Sequence, residues 1–212
     1  MKTSLRALTA AVAATLMLAS AASSAANATT DTTLSSNMSV DNGYEIYLST
    51  SDDVQGDLFG SANNWYATYT NNVTLTPGTS YYLHVYAYDQ GGIAGLLGDF
   101  SLTGTTHTFA NGLTNLLSDT THWYGNTTGF NGSYGAVTDL GTNGVNPWNH
   151  RDNIDNAATW IWSGDAWNNN AAYFTTKISA VAVPVDVPEP TSIALLGLGL
   201  LGLGVARRRA AK

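Results

Sequence analysis

The chain of 212 residues contains no cysteine. Disulfides, thiol nucleophiles, thiolate metal sites and iron–sulfur clusters are excluded with it, so an exported fold must rest on its packed core. Basic residues are almost as scarce. Six of the 8 lysines and arginines lie near the ends (Lys2, Arg6, Arg207, Arg208, Arg209, Lys212). Residues 29–190 keep only Arg151 and Lys177 against all 15 acidic residues. Nucleic acid and anionic membrane surfaces need clustered Lys and Arg, so they are poor partners for this body.

Motifs that carry chemistry are also missing. No D-x-[DN]-x-[DN]-G loop occurs in order. The histidines His84, His107, His122 and His150 show no zinc spacing, and no G-x-S-x-G offers a serine nucleophile. Glu45 and Glu189 are the only glutamates. The segment 197–204, GLGLLGLG, satisfies G-x-G-x-x-G, but two prolines precede it, three arginines follow it, and no room remains for a second strand or an acid. A nucleotide loop is therefore rejected.

No run is long enough for an ordinary membrane span. Residues 192–206 are 15 small and apolar residues without charge. As a helix they reach ~22 Å, against a hydrocarbon core of ~30 Å. Arg207, Arg208 and Arg209 can snorkel and mark the cytoplasmic side. At the other end, Lys2 and Arg6 precede an apolar stretch and then SAASSAANA. That order predicts a secretory signal peptide over residues 1–26, with cleavage after Ala26 or Ala28, and hence passage through the Sec translocon and signal peptidase.

Pro188-Glu189-Pro190, a short apolar run, and then Arg207-Arg208-Arg209 resemble the PEP-CTERM sorting signal of exported bacterial proteins. The resemblance covers residues 188–212. It implies an exosortase-type membrane protease as partner and an inner-membrane-anchored precursor. It also implies a mature form at the envelope or matrix of a Gram-negative bacterium that makes exopolysaccharide.

Between the signals, residues 29–180 read as one all-β body. Residues 44–49 (YEIYLS) alternate, with Tyr44, Ile46 and Leu48 on one face. Residues 81–89 (YYLHVYAYD) put Tyr81, Leu83, Val85 and Ala87 on one face and Tyr82, His84, Tyr86 and Tyr88 on the other, after a Pro77-Gly78 turn. Residues 65–70, 99–102, the TWIW run and 172–181 read as further strands. Residues 27–37 read as a polar lead-in, 113–117 as one turn of helix, and 126–156 as long Gly/Asn-rich loops. Residues 181–187 are a Pro/Val-rich tether. Short aromatic and β-branched strands separated by Gly, Asn, Asp and Ser predict a single β-sandwich.

Residues 39–102 are similar to the galactose-binding-like jelly-roll modules appended to bacterial enzymes and surface proteins. The likeness lies in an Asp/Asn-rich start, an aromatic strand, a Trp, a Pro-Gly turn before a long strand, and the exit Gly91-Gly92-Ile93-Ala94-Gly95. The first hairpin departs from that pattern at residues 49–53. The resemblance implies the fold more than any ligand.

All six Trp and all eleven Tyr lie in the body. Trp123, Tyr124 and Trp148, set in Gly/Asn loops, are candidates for stacking on sugar rings, followed by Trp160, Trp162 and Trp167. Core packing is the competing role, above all for Trp65, Trp160 and Trp162, which is expected to share a face with Trp160. Asp52, Asp53 and Asp57 in one loop, with Asp152 and Asp155 in another, are candidate ligands for a structural Ca²⁺, against the alternative of a solvated acidic surface. The sequons at Asn72, Asn126 and Asn131 predict surface loops. The expectation is a non-enzymatic matrix protein that associates with exopolysaccharide. The alternatives are a purely structural or protein-binding surface protein and, more distantly, a small secreted glycoside hydrolase.

Overall fold

A computed structural model of the chain describes residues 31–182, 197–200 and 207. The signal peptide 1–26, tether residues 183–187, Pro188, Glu189, Pro190, Arg208 and Arg209 lie outside the described residues. Residues 197–200 are helical, and among the described residues no helix is long and apolar enough to cross a membrane.

Residues 29–183 form a compact unit of two antiparallel sheets packed as a sandwich. Its strands in chain order are β1 (Thr32–Asp41), β2 (Gly43–Ser49), β3 (Asp57–Ala62), β4 (Tyr69–Leu75), β5 (Tyr81–Tyr88), β6 (Gly95–Thr103), β7 (His107–Phe109), β8 (Asn115–Leu117), β9 (Tyr124–Asn126), β10 (Gly135–Ala136), β11 (Thr138–Thr142), β12 (Thr159–Trp162) and β13 (Ala171–Ala180). The first sheet runs β11-β12-β6-β1-β4, with β8 also on β6. The second runs β10-β9-β13-β5-β2-β3, with β7 also on β13.

The alternation read from the sequence sets the inner faces. Leu83, Val85 and Ala87 of β5 lie beside Tyr44 and Ile46 of β2 and Ala172 and Phe174 of β13, all buried. They meet Leu34, Met38, Val40, Leu96 and Phe100 of the first sheet. Each such large apolar side chain contributes roughly 1.5–3 kcal/mol by leaving water.

From Thr32 on, the polar lead-in proves to be a strand. Residues 32–41 form β1, which lies between β4 and β6 in the first sheet. Its inward row alternates Thr32, Leu34, Ser36, Met38 and Val40, all buried. Hydroxyls hid that row from a hydropathy reading. Inside, Thr32 and Thr106 share a hydrogen bond of 2.6 Å, which makes a buried hydroxyl tolerable. The strand expected at 65–70 starts at Tyr69, because residues 65–67 turn away so that Trp65 can pack outside the sheet. The expected helical turn at 113–117 is instead β8, which pairs Asn115, Leu116 and Leu117 with β6 and buries Leu116. A single helical turn fixes several dihedrals for one hydrogen bond, and the open β6 ladder offers more.

A second cluster lies outside the first sheet. Leu97 and Trp160 are covered there by Trp148, Ile154 and Ala158 of the long segment 143–158. Trp160 and Trp162 therefore do not share a face. Trp160 stacks on Trp148, whereas Trp162 meets Phe174 edge-on in the main core. β12 has one registered pair with β6 and a register shift against β11, so its ladder does not enforce strict alternation.

Tyr44 provides a pH test of the inner packing. Burial pushes its phenol up to about 12; the hydrogen bond from Asn71 Nδ2 at 2.7 Å acts the other way. A raised folded-state pKa stabilises below the ordinary value of about 10, and that stability is lost as pH rises from there toward 12. Tyr44→Phe is expected to flatten this alkaline loss. It should also cost about 1 kcal/mol at neutral pH by removing the acceptor of Asn71. Urea unfolding across alkaline pH checks both.

Candidate functional site

The outward face of the second sheet is aromatic, and the strand register explains why. Glu45, Tyr86 and Tyr173 stand in one cross-strand row, with Asn126 of β9 next along it. Tyr47, His84, Thr175 and Tyr124 form the next row, and Tyr82 with Lys177 the one beyond. Cross-strand neighbours on one face lie about 5 Å apart, close enough for rings to touch. Tyr86 lies 5.0 Å from Tyr173 and 6.0 Å from Tyr88 between centroids.

Segment 127–134 closes over part of this face. Phe130 stacks on His84 at 5.1 Å and meets Tyr47 and Tyr173 edge-on. Tyr134 lies over His84 as well, and burial pushes its phenol up, with the charge of Asp52 adding to the effect. Burial also raises the Tyr47 phenol to about 12, together with its hydrogen bond to Glu45. Beyond this cover Tyr86, Tyr88 and Tyr173 stay half-buried, with one side of the array open.

That open side runs into a cleft of about 280 Å³ lined by Tyr44, Glu45, Ser61, Ala62, Asn63 and Tyr88. Gly43 shapes it. It pairs with Tyr88, and a Cβ there would fall 2.5 Å from the Tyr88 hydroxyl and 2.7 Å from the carbonyl of Ala62. The tyrosine ring can lie across the strand only because that side chain is absent. A second cleft of about 270 Å³ lies between loop 63–68 and segment 148–153, lined by Tyr66, Ala67, Thr68, His150, Arg151, Asp152 and Asn153. Tyr66 is 70% exposed and stacks on Trp65 at 3.7 Å, and Arg151 covers the Trp65 ring at 5.1 Å. Arg151 also donates to the carbonyls of Tyr66 and Trp148, so it joins the two loops; burial lowers its pKa.

The candidate stacking residues separate. Trp123 is 0% exposed and Trp148 1%, so neither can present a ring to a sugar. Trp123 packs on Phe100 at 5.0 Å and donates to the carbonyl of Leu117. Trp148 stacks on Trp160 at 4.5 Å and donates to Asp41. Loop composition around them suggested exposure, but those loops fold back on the sheets. Tyr124 is 49% exposed on the aromatic face, and Trp167 is 66% exposed in a turn capped by Asp165.

The candidate calcium ligands are not gathered. Asp52 accepts from Thr175 Oγ1 at 2.5 Å and lies 3.4 Å from His84 Nε2, which fastens its loop to the aromatic face. Asp53 accepts from Ser51, and Asp57 begins β3. Asp152 lies 3.5 Å from His150, and Asp155 accepts the N–H of Ala157. Among the described residues no three acidic or histidine side chains are grouped to hold a metal. Of the sequons, Asn131 is exposed in a loop and Asn72 is exposed on β4. Asn126 is buried, its Oδ1 accepting from Thr128 and Gly129.

The tyrosine face was half legible in the sequence. Tyr82, His84, Tyr86 and Tyr88 alternate in plain view, but their neighbours Glu45 and Tyr173 are set by register. Phe130 stands in a Gly/Asn-rich loop with no periodic signal.

Comparison with known proteins identifies the tail. Residues 186–209 match the family model of the PEP-CTERM protein-sorting motif, a span that includes Pro188, Glu189, Pro190, Arg207, Arg208 and Arg209. No curated protein and no solved structure matches the chain. The chain thus carries a PEP-CTERM sorting signal, the mark of an exported protein with a membrane-anchored precursor that is processed by an exosortase.

Proposed function

We propose that the β-sandwich is a non-catalytic module that binds the exopolysaccharide of the producing cell, a Gram-negative bacterium, through the tyrosine face of its second sheet. The observation that carries this reading is the open array of Tyr86, Tyr88 and Tyr173 beside Glu45, continuous with the cleft reaching Ser61 and Asn63. Sugar rings present apolar C–H faces to aromatic rings and hydroxyls to carboxylate, amide and hydroxyl groups, and this surface offers both sets. A net negative body suits neutral sugars. The cleft is lined by one carboxylate, Glu45, whereas glycoside hydrolysis uses a facing pair.

Binding of the processed protein to purified exopolysaccharide tests the reading. Wild type is expected to bind saturably. Tyr86→Ala and Tyr173→Ala are each expected to weaken binding about fivefold, from roughly 1 kcal/mol per ring contact. Tyr124→Ala should have a smaller effect. Saturable binding that survives Tyr86→Ala/Tyr173→Ala in one chain would place the sugar elsewhere.

A protein-binding role rests on a different observation. Exposed Val54 and Leu58 rim a cleft of about 430 Å³ that also takes in Leu48, Phe59, Val73 and Tyr81. Its mixed apolar lining suits a protein side chain better than a sugar. Absence of polysaccharide binding together with self-association lost in Leu58→Asp would favour that reading.

A further inference from the structure

The cleft between loop 63–68 and segment 148–153 has the parts of a binding site, apart from the tyrosine face. Its platform is Tyr66, at 70% the most exposed aromatic ring among the described residues. One side of the ring lies on Trp65 at 3.7 Å, and the ring lines a space of about 270 Å³.

Both walls are fixed by hydrogen bonds. Thr68 Oγ1 donates to the carbonyl of Asp152 at 2.7 Å, Ser39 Oγ to that of Trp65 at 2.8 Å, and Arg151 to that of Tyr66 at 3.3 Å. Buried Asn143 pins the other wall. Its Oδ1 accepts the Arg151 N–H at 2.7 Å, and its Nδ2 donates to the carbonyls of Arg151 and Ile154 at 2.9 Å. Asn149 and Asn153 take left-handed backbone, at φ 58° and 63°, on either side of residues 150–152. Asparagine tolerates that conformation better than most residues. His150, Asp152 and Asn153 are thereby exposed along the cleft. A preformed site loses little entropy on binding.

The lining selects the class of ligand. Ala67 is its one apolar member besides the tyrosine ring, so an apolar ligand finds little to cover it. An anion is disfavoured. The Asp152 side chain is 92% exposed there, and the Arg151 guanidinium is already committed. Two of its nitrogens donate to the carbonyls of Tyr66 and Trp148, and Nε is enclosed. What remains is one aromatic face ringed by carboxylate, amide, imidazole and hydroxyl groups. That set suits a neutral sugar.

We propose that this cleft is a second sugar subsite, in which a neutral pyranose ring stacks on Tyr66 and Asp152, Asn153 and His150 hold its hydroxyls. The proposal rests on the reading of the body as a polysaccharide-binding module and adds a contact outside the tyrosine face. Asn63, which lines the cleft beside that face, is three residues from Tyr66, a reach of at most ~11 Å. Adjoining stretches of one polysaccharide chain are therefore within reach of both, and each contact strengthens the other.

Oligosaccharides released from the producing cell's exopolysaccharide by partial acid hydrolysis are the probe, titrated into the processed protein. In a Trp167→Phe background Trp65 is the one tryptophan that is not buried, since Trp123, Trp148, Trp160 and Trp162 are at most 1% exposed. Bound sugar is expected to shield Trp65 from acrylamide quenching, and to do so in Tyr86→Ala/Tyr173→Ala as well. Tyr66→Ala should abolish the shielding and weaken binding about fivefold. Asn153→Gly, which keeps the left-handed backbone, should weaken binding roughly threefold. Tyr66→Phe should retain both the shielding and the affinity. Tyr66 and Asn153 are exposed, so these variants should keep the wild-type Tm. Binding that Tyr66→Ala and Asn153→Gly leave unchanged, while Tyr86→Ala/Tyr173→Ala abolishes it, would overturn the subsite and keep the tyrosine face. The reverse pattern would keep the subsite and overturn the face. No binding by wild type would overturn both.

Discussion

Trp148→Ala is expected to lower the unfolding free energy by about 3–5 kcal/mol, and Tm by roughly 10 °C. The ring is 1% exposed, lies parallel to Trp160 at 4.5 Å, and touches the backbone at Gly95, where a Cβ would come within 2.9 Å of it. Removing it empties the second cluster and also deprives buried Asp41 of its N–H donor at 2.8 Å. Two costs therefore add, a cavity and a less satisfied carboxylate. Trp167→Ala, at a residue 66% exposed, should change stability by no more than about 0.5 kcal/mol. Urea unfolding of both variants measures the contrast. Unchanged stability in Trp148→Ala, with polysaccharide binding lost, would return Trp148 to the surface role that its loop composition suggested.

Replacing Pro188, Glu189 and Pro190 together by alanine is expected to abolish processing. The precursor should accumulate in the membrane fraction at its larger apparent mass, and the mature form should disappear from the envelope. Proline fixes its own φ and disfavours the helical region for the residue before it, so a Pro-Glu-Pro sequence favours an extended presentation of its acid. Alanine relaxes that presentation and removes the acid, yet leaves the apolar run and Arg207, Arg208 and Arg209 intact. Immunoblots of cell fractions decide it. A mature protein of unchanged mass and location would mean that the tail acts as a plain anchor. The two predictions are independent, since the first concerns the body and the second the sorting motif matched at residues 186–209.

Periodicity made the second sheet readable. β2 and β5 alternate apolar and polar or aromatic residues, and their inner rows are those the sequence showed. β1 was unreadable because Thr32 and Ser36 take inward places that hydropathy assigns to the surface. Their hydroxyls find partners only after β4, β6 and residue 106 have been brought alongside. The same limit applies to the tryptophans. Gly and Asn around Trp123 and Trp148 describe a flexible local chain, but burial depends on what the chain folds against. Segment 143–158 returns over Leu97, and apolar area is removed from water wherever two such surfaces meet.

By itself the sequence determined the all-β body, the absence of covalent cross-links, the acidic charge and the sorting signal, because each follows from residue type and local order. Only the tertiary structure decided which rings face solvent, that Glu45 stands beside Tyr86 and Tyr173, and that Asp41 accepts from Trp148. Those pairs are 41, 128 and 107 residues apart in the chain. Strand register and sheet packing bring them together, and no local preference encodes either.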